Sequence, residues 1–167
     1  MVSTEGPPNE LYINDQDGSF TPSESLFSLI NNNTHAIAEG DINQDGKPDL
    51  LIVNRFPSNS TVWRNVGEEN NHFIKISLEG NLSNKDAFGA QIEVHTGDLH
   101  MLKQHNSMDN YLSQNSQHLI FGLGASEIID SLIVSWPSGW NEKWFDIGVD
   151  QHLQLTEGHS LSFEINR

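Results

Sequence analysis

The chain has no cysteine among its 167 residues. Disulfides, thiolate zinc sites and cysteine nucleophiles are therefore excluded. Positive charge is scarce: eight Lys and Arg stand against 23 Asp and Glu, for a formal net charge of −15. Phosphate recognition needs basic patches, so no nucleic-acid partner is expected. Long apolar runs are also missing. No stretch approaches the roughly 20 apolar residues that span a bilayer, so no membrane insertion is expected. Met1-Val2-Ser3-Thr4-Glu5-Gly6 lacks a basic region leading into an apolar core and does not read as a signal peptide. If the protein is exported, its signal lies outside this chain or has been removed. The motifs G-x-S-x-G and H-E-x-x-H are absent, and no carboxylate pair stands out. The reading is a non-enzyme with no catalytic residue and no organic cofactor. No stretch shows sustained helical periodicity.

What is present centres on Gly40-Asp41-Ile42-Asn43-Gln44-Asp45-Gly46-Lys47-Pro48-Asp49-Leu50. Short oxygen-bearing side chains fall at every second position from Asp41 to Asp45, followed by a glycine, a further acid and an apolar run. Calcium takes about 6 to 8 oxygen ligands, and such spacing wraps oxygens around one point if the backbone curls. Gly46 permits the sharp turn. The predicted Ca2+ ligands are Asp41, Asn43, Asp45, the Lys47 carbonyl and Asp49. An EF-hand loop closes on a Glu at position twelve; here that position is Ile52, inside a β-branched run that reads as a strand. The alternative reading is a polar turn rich in Asp and Asn, with no metal.

Hydrophobic content of 35% and four tryptophans suit a folded protein with one core or two small ones. In chain order, residues 10–14 and 19–21 read as a hairpin around Asp15-Gln16-Asp17-Gly18. A short helix is predicted over residues 23–30. Strands are predicted at 35–39, 49–54 and 60–65. A composition shift at Gly67-Glu68-Glu69-Asn70-Asn71 marks a boundary between residues 1–66 and 67–167. Beyond it the predicted strands are 72–78, 88–96, 99–106, 118–121, 131–136, 143–147, 152–156 and 160–165. Gly97-Asp98 is a tight hairpin turn between the second and third of these. Many short strands with turn signals between them predict a β-sandwich.

Several smaller constellations carry two readings each. Asp15 and Asp17 read as turn residues, with a second metal site as the alternative. His95, His100 and His105 are evenly spaced; around Gly97-Asp98, His95 and His100 meet across the hairpin, as exposed strand histidines or as a transition-metal pair. Trp136, Trp140 and Trp144 surround a turn containing Pro137 and Gly139, either as packing or as a platform for sugar rings. Asn84 and Asp86 read as backbone caps, with ion binding as the alternative. Phe121-Gly122-Leu123-Gly124-Ala125 lacks the later glycine of a dinucleotide fingerprint and any P-loop lysine, so it reads as a strand end or turn. Asn32, Asn59 and Asn81 lie in N-x-[ST] sequons, which matter only in a eukaryotic secretory pathway.

Two segments resemble known families. Residues 10–66 resemble FG-GAP/VCBS-type β-propeller repeats, through Leu11-Tyr12-Ile13-Asn14, Asp17-Gly18-Ser19-Phe20, the Gly40–Leu50 loop and Val62-Trp63-Arg64-Asn65. Residues 72–157 resemble an ASPIC/UnbV domain, through Leu78-Glu79-Gly80, Ser83–Ala90, Tyr111–Ser116, Phe121-Gly122-Leu123-Gly124 and Trp136-Pro137-Ser138-Gly139. The resemblance implies an all-β chain: partial propeller blades with a calcium loop, packed on or linked to a C-terminal β-sandwich. A complete propeller has about four to eight blades, and this chain holds about one and a half, which suggests a piece of a longer protein. The implied role is a calcium-binding module of an extracellular or periplasmic protein, used in adhesion or in binding an extracellular protein or glycan. The alternatives are a carbohydrate-binding module and an accessory component of a biosynthetic enzyme system.

Overall fold

The computed structural model of the chain describes residues 9–15, 17–23, 33–67 and 70–159. The helix expected at residues 23–30, the strand expected at 160–165 and the Asn32 sequon lie outside these, except for Ser23. The described residues contain twelve strands and no helix. Contacts group the chain into two compact units.

The first unit comprises residues 1–40, 49–64 and 108–115. Strands β1 (Leu11–Asn14) and β2 (Phe20–Ser23) form the expected hairpin, with Leu11 opposite Ser23. Strands β3 (Thr34–Gly40), β4 (Asp49–Asn54) and β5 (Thr61–Trp63) form an antiparallel sheet in that order. The β4 sequence Asp49-Leu50-Leu51-Ile52-Val53-Asn54 favours this conformation because its apolar residues suit a pleated, half-buried surface. Ile52 is buried and Leu51 and Val53 are exposed, the alternation of a strand with one covered face.

The second unit comprises residues 41–48, 65–107 and 116–167. It contains β6 (His72–Glu79), β7 (Gln91–Thr96), β8 (Leu99–Gln104), β9 (Leu119–Gly124), β10 (Ile128–Ser135), β11 (Asn141–Gly148) and β12 (Gln151–Thr156). These form a four-stranded sheet, β11-β10-β7-β8, and a three-stranded sheet, β12-β6-β9. One core lies between them. Ile74 and Ile76 of β6, Leu123 of β9 and Leu153 of β12 meet Ile92 and Val94 of β7, Leu132 and Val134 of β10 and Trp144 of β11. Each fully buried aliphatic side chain there contributes about 1.5–3 kcal/mol. The arrangement is the two-sheet sandwich that the turn spacing predicts. One pairing is not legible in the sequence: β12 runs parallel to β6, with Leu153 opposite Ile76.

The strand limits differ from the expected ones at a few ends. The segment Phe88-Gly89-Ala90 precedes β7 as a turn, because Gly89 and Ala87 adopt φ values of 100° and 54°. The segment Phe121-Gly122-Leu123-Gly124 is the body of β9 and carries part of the core.

Candidate metal loop and signature blocks

The loop at residues 41–48 is curled by its own side chains. The Asp41 carboxylate accepts hydrogen bonds from the backbone N–H of Asp45 at 3.0 Å and of Gly46 at 3.1 Å. Asp45 accepts one from the N–H of Lys47 at 3.0 Å and another from the Asn43 amide at 2.7 Å. Gln44 and Gly46 take left-handed backbone angles, φ 61° and 79°. Gly46 is also required by its neighbour: a Cβ there would come within 2.3 Å of the Phe73 ring. The loop thus brings Asp41, Asn43 and Asp45 together and leaves Lys47 pointing elsewhere, its ammonium donating to the Gly67 carbonyl at 2.7 Å. Asp49 is the first residue of β4, opposite Gly40, and is buried.

A donor set of carboxylate, amide and carbonyl oxygens on a curled backbone has the hard-oxygen chemistry of calcium rather than of a thiolate- or imidazole-seeking metal. Asp41 already faces one cation. The Lys75 ammonium lies 3.1 Å from its Oδ2, with both side chains largely buried. A metal ion drawing on that oxygen competes with Lys75 for it.

Lys75 lies on the outward face of β6, between Phe73 and Ser77. The Ser77 hydroxyl sits 2.7 Å from His118 Nδ1 and 2.6 Å from His152 Nε2. Burial lowers the pKa of both imidazoles, with the Lys75 charge acting in the same direction on each. Both are therefore neutral near pH 7, and the trio acts as a polar clasp across β12, β6 and the start of β9.

The remaining motif residues are mostly structural. Gly80 cannot carry a side chain, because a Cβ would meet the Asn84 carbonyl oxygen at 2.1 Å. Asn84 caps the backbone as expected, its amide donating to the Phe88 carbonyl and its oxygen accepting from the Phe88 N–H. Asp15 and Asp17 accept hydrogen bonds from Ser19 and Thr21, which makes them turn acceptors. Trp136 and Trp144 are core residues, and Trp136 donates from its indole N–H to Glu142 at 2.6 Å. Of the three spaced tryptophans only Trp140 is exposed. The Tyr111–Ser116 block supports the first unit: the Ser113 hydroxyl donates to the Ile37 carbonyl, and the Asn115 side-chain oxygen accepts from the Glu39 N–H. Both partners are on β3, an edge strand whose backbone groups need such covering.

Sequence reasoning missed Glu157. This carboxylate is fully buried at the end of β12. Its Oε2 accepts from three consecutive backbone N–H groups, those of Asn81, Leu82 and Ser83, at 2.7–2.8 Å. Its Oε1 accepts from the hydroxyls of Ser83 and Ser138. Burial alone pushes its pKa up, but these hydrogen bonds outweigh it and hold the group at about 2. Glu157 therefore joins the Gly80–Ser83 turn to the Trp136–Gly139 turn. The signal for it in the sequence is weak: one acid among 23, next to a glycine.

The described residues are thus all-β, with a compact acidic loop and interlocked turns. Residues 1–52 match the model of the FG-GAP-like repeat family, and residues 80–162 match that of the ASPIC and UnbV family. The chain carries an FG-GAP-like repeat followed by an ASPIC/UnbV domain. No curated protein matches it. Neither matched family is an enzymatic one, and both are typical of extracellular or periplasmic proteins. Among the described residues, no helix is long and apolar enough to cross a membrane.

Proposed function

We propose that this chain is a calcium-stabilised, non-enzymatic binding module of an extracellular or periplasmic protein, with an extracellular protein as its partner and adhesion as its setting. The observation that carries the metal reading is the Asp41–Lys47 loop, curled by hydrogen bonds that its own backbone N–H groups donate to the Asp41 and Asp45 carboxylates. Asp41, Asn43, Asp45, the Lys47 carbonyl and Asp49 are the ligands of this proposal. Calcium would supply positive charge to a segment whose carboxylates otherwise repel each other. The FG-GAP-like repeat supports the partner-binding part, and its matched residues take in β3 and most of β4 as part of a propeller-type blade. Two of the three clustered tryptophans are buried, which leaves Trp140 alone of them as a surface for a sugar ring.

The test is thermal unfolding with calcium and with chelator. An ion at a hundredfold its dissociation constant adds about 2.7 kcal/mol, roughly 5–10 °C for a chain of this size. Chelation and Asp45→Ala should each lower Tm by about that amount, and chelation should have no further effect on the variant. A melting curve indifferent to calcium, chelator and the substitution would remove the metal from the proposal.

A further inference from the structure

The four-stranded sheet of the second unit carries a second candidate metal site, of different chemistry. β7 and β8 form a hairpin across Gly97-Asp98, in which Gly97 has φ 54° and its N–H donates to the Asp130 carboxylate at 2.7 Å. This two-residue turn sets the register, and the register places His95 directly opposite His100. Glu93 lies two residues before His95 and so projects from the same face of the sheet. Its Oε2 is 3.5 Å from His95 Nε2 and 3.2 Å from His100 Nε2. Each of the three residues offers one donor atom, a carboxylate oxygen or a ring nitrogen, and these lie within 4.8 Å of one another.

The two Glu93–histidine separations are close to those in a metal tetrahedron. With ligand bonds of about 2.0–2.1 Å, two donors on a tetrahedral ion are about 3.3–3.4 Å apart. A second observation comes from His95 itself. Its Nε2 is buried and makes no hydrogen bond, although the neighbouring carboxylate is close. Buried polar atoms are rarely left unmatched, and each one calls for an explanation. The two imidazole rings stack 4.2 Å apart at an interplanar angle of 13°. Rings so aligned hold their in-plane lone pairs side by side, so a rotation about χ2 is needed to converge them on one ion. His100 and Glu93 are partly exposed, which leaves room for that rotation and for a water as fourth ligand.

We propose that Glu93, His95 and His100 form a site for a divalent transition metal of the zinc class, with three protein ligands and an exchangeable fourth position. Two imidazoles and one carboxylate suit zinc, and they suit calcium poorly, because calcium takes oxygen ligands in larger number. The net charge of −15 raises the local concentration of cations around the chain. The site uses no residue of the acidic loop, so it stands or falls independently of calcium binding there.

The test is calorimetric titration of the full chain with zinc chloride, with calcium in excess to occupy the acidic loop. One zinc per chain is expected. His95→Ala and His100→Ala should each weaken binding at least tenfold, since even outer-shell partners of a metal cost about 10–100-fold. Glu93→Gln should weaken it less than either, and His118→Ala, which alters the clasp around Ser77, should leave it unchanged. Cobalt in place of zinc should give the visible absorption of a four-coordinate ion, lost in His95→Ala. All three side chains lie on the outer face of the sheet, and circular dichroism should show that each variant retains its strands. No zinc binding at millimolar concentration overturns the proposal. Binding that survives His95→Ala and His100→Ala but is lost in His118→Ala overturns it as well.

Discussion

Glu157 shows how much a single residue can hold together in this protein. Its carboxylate takes the place of an anion in a cradle of three backbone N–H groups and two hydroxyls. Glu157→Gln keeps the shape but aims an amide group with its own N–H donors into a site built from donors. Hydrogen bonds to a charged group contribute about 1.5–3 kcal/mol each, so the variant should lose at least about 2–3 kcal/mol in denaturant titration. The pH dependence follows from the depressed pKa. In the unfolded chain the group titrates near 4.5, and in the folded chain at about 2. Its contribution is therefore complete above pH 4.5 and disappears as the pH falls towards 2. Wild-type stability should decline through that window, and the Glu157→Gln variant should decline less. Equal acid sensitivity in the two proteins would show that the carboxylate does not carry this effect. Nothing in the sequence separates Glu157 from the other acids, because its role depends on two turns, 75 and 19 residues away.

At the scale of the element, the acidic loop was the most legible part of the chain. Alternating oxygens, a glycine and a following β-branched run predict a curled turn entering a strand, and the structure contains both. What the spacing does not reveal is why Gly46 must be glycine in two senses. Its backbone angle favours glycine, and the Phe73 ring lies where a Cβ would be. Gly46→Ala should cost about 1–3 kcal/mol, the range for overpacking a filled site. The simultaneous change Phe73→Ala should relieve part of that cost, because the steric term vanishes while the backbone term stays. A double-mutant cycle with no coupling would mean that the ring does not set the requirement. The β7–β8 hairpin is legible for the same local reason: Gly97-Asp98 defines a two-residue turn, and the turn places His95 against His100. Trp136, Trp140 and Trp144 show the opposite case. Their spacing left packing and a shared surface both open, and the turn before β11 with the alternation along it sends two indoles into the core and one outward.

At the scale of the whole molecule, the second unit is discontinuous in sequence. Residues 41–48 belong to it by contact, packed against Phe73 and Lys75 on the outward face of β6. A fragment of residues 67–167 contains every strand of the sandwich but not this cover. It should unfold at a lower temperature than the full chain and bind a hydrophobic dye that the full chain does not. A fragment melting as the full chain does would mean that residues 41–48 add nothing to this unit.

The sequence by itself determined the all-β class, the two family segments, the hairpin turns and the composition of the acidic loop. All of these rest on residues close together in the chain, where backbone preference and side-chain alternation act directly. Only the tertiary structure decided the parallel pairing of β12 with β6, the cradle around Glu157 and the seat of Lys75 on Asp41. The Lys75–Asp41 pair spans 34 residues, the bond from Asn81 to Glu157 76 and the β12–β6 pairing 77, and no local preference specifies them. They follow from burying two sheets against one core, which settles partners and register after the local elements have formed.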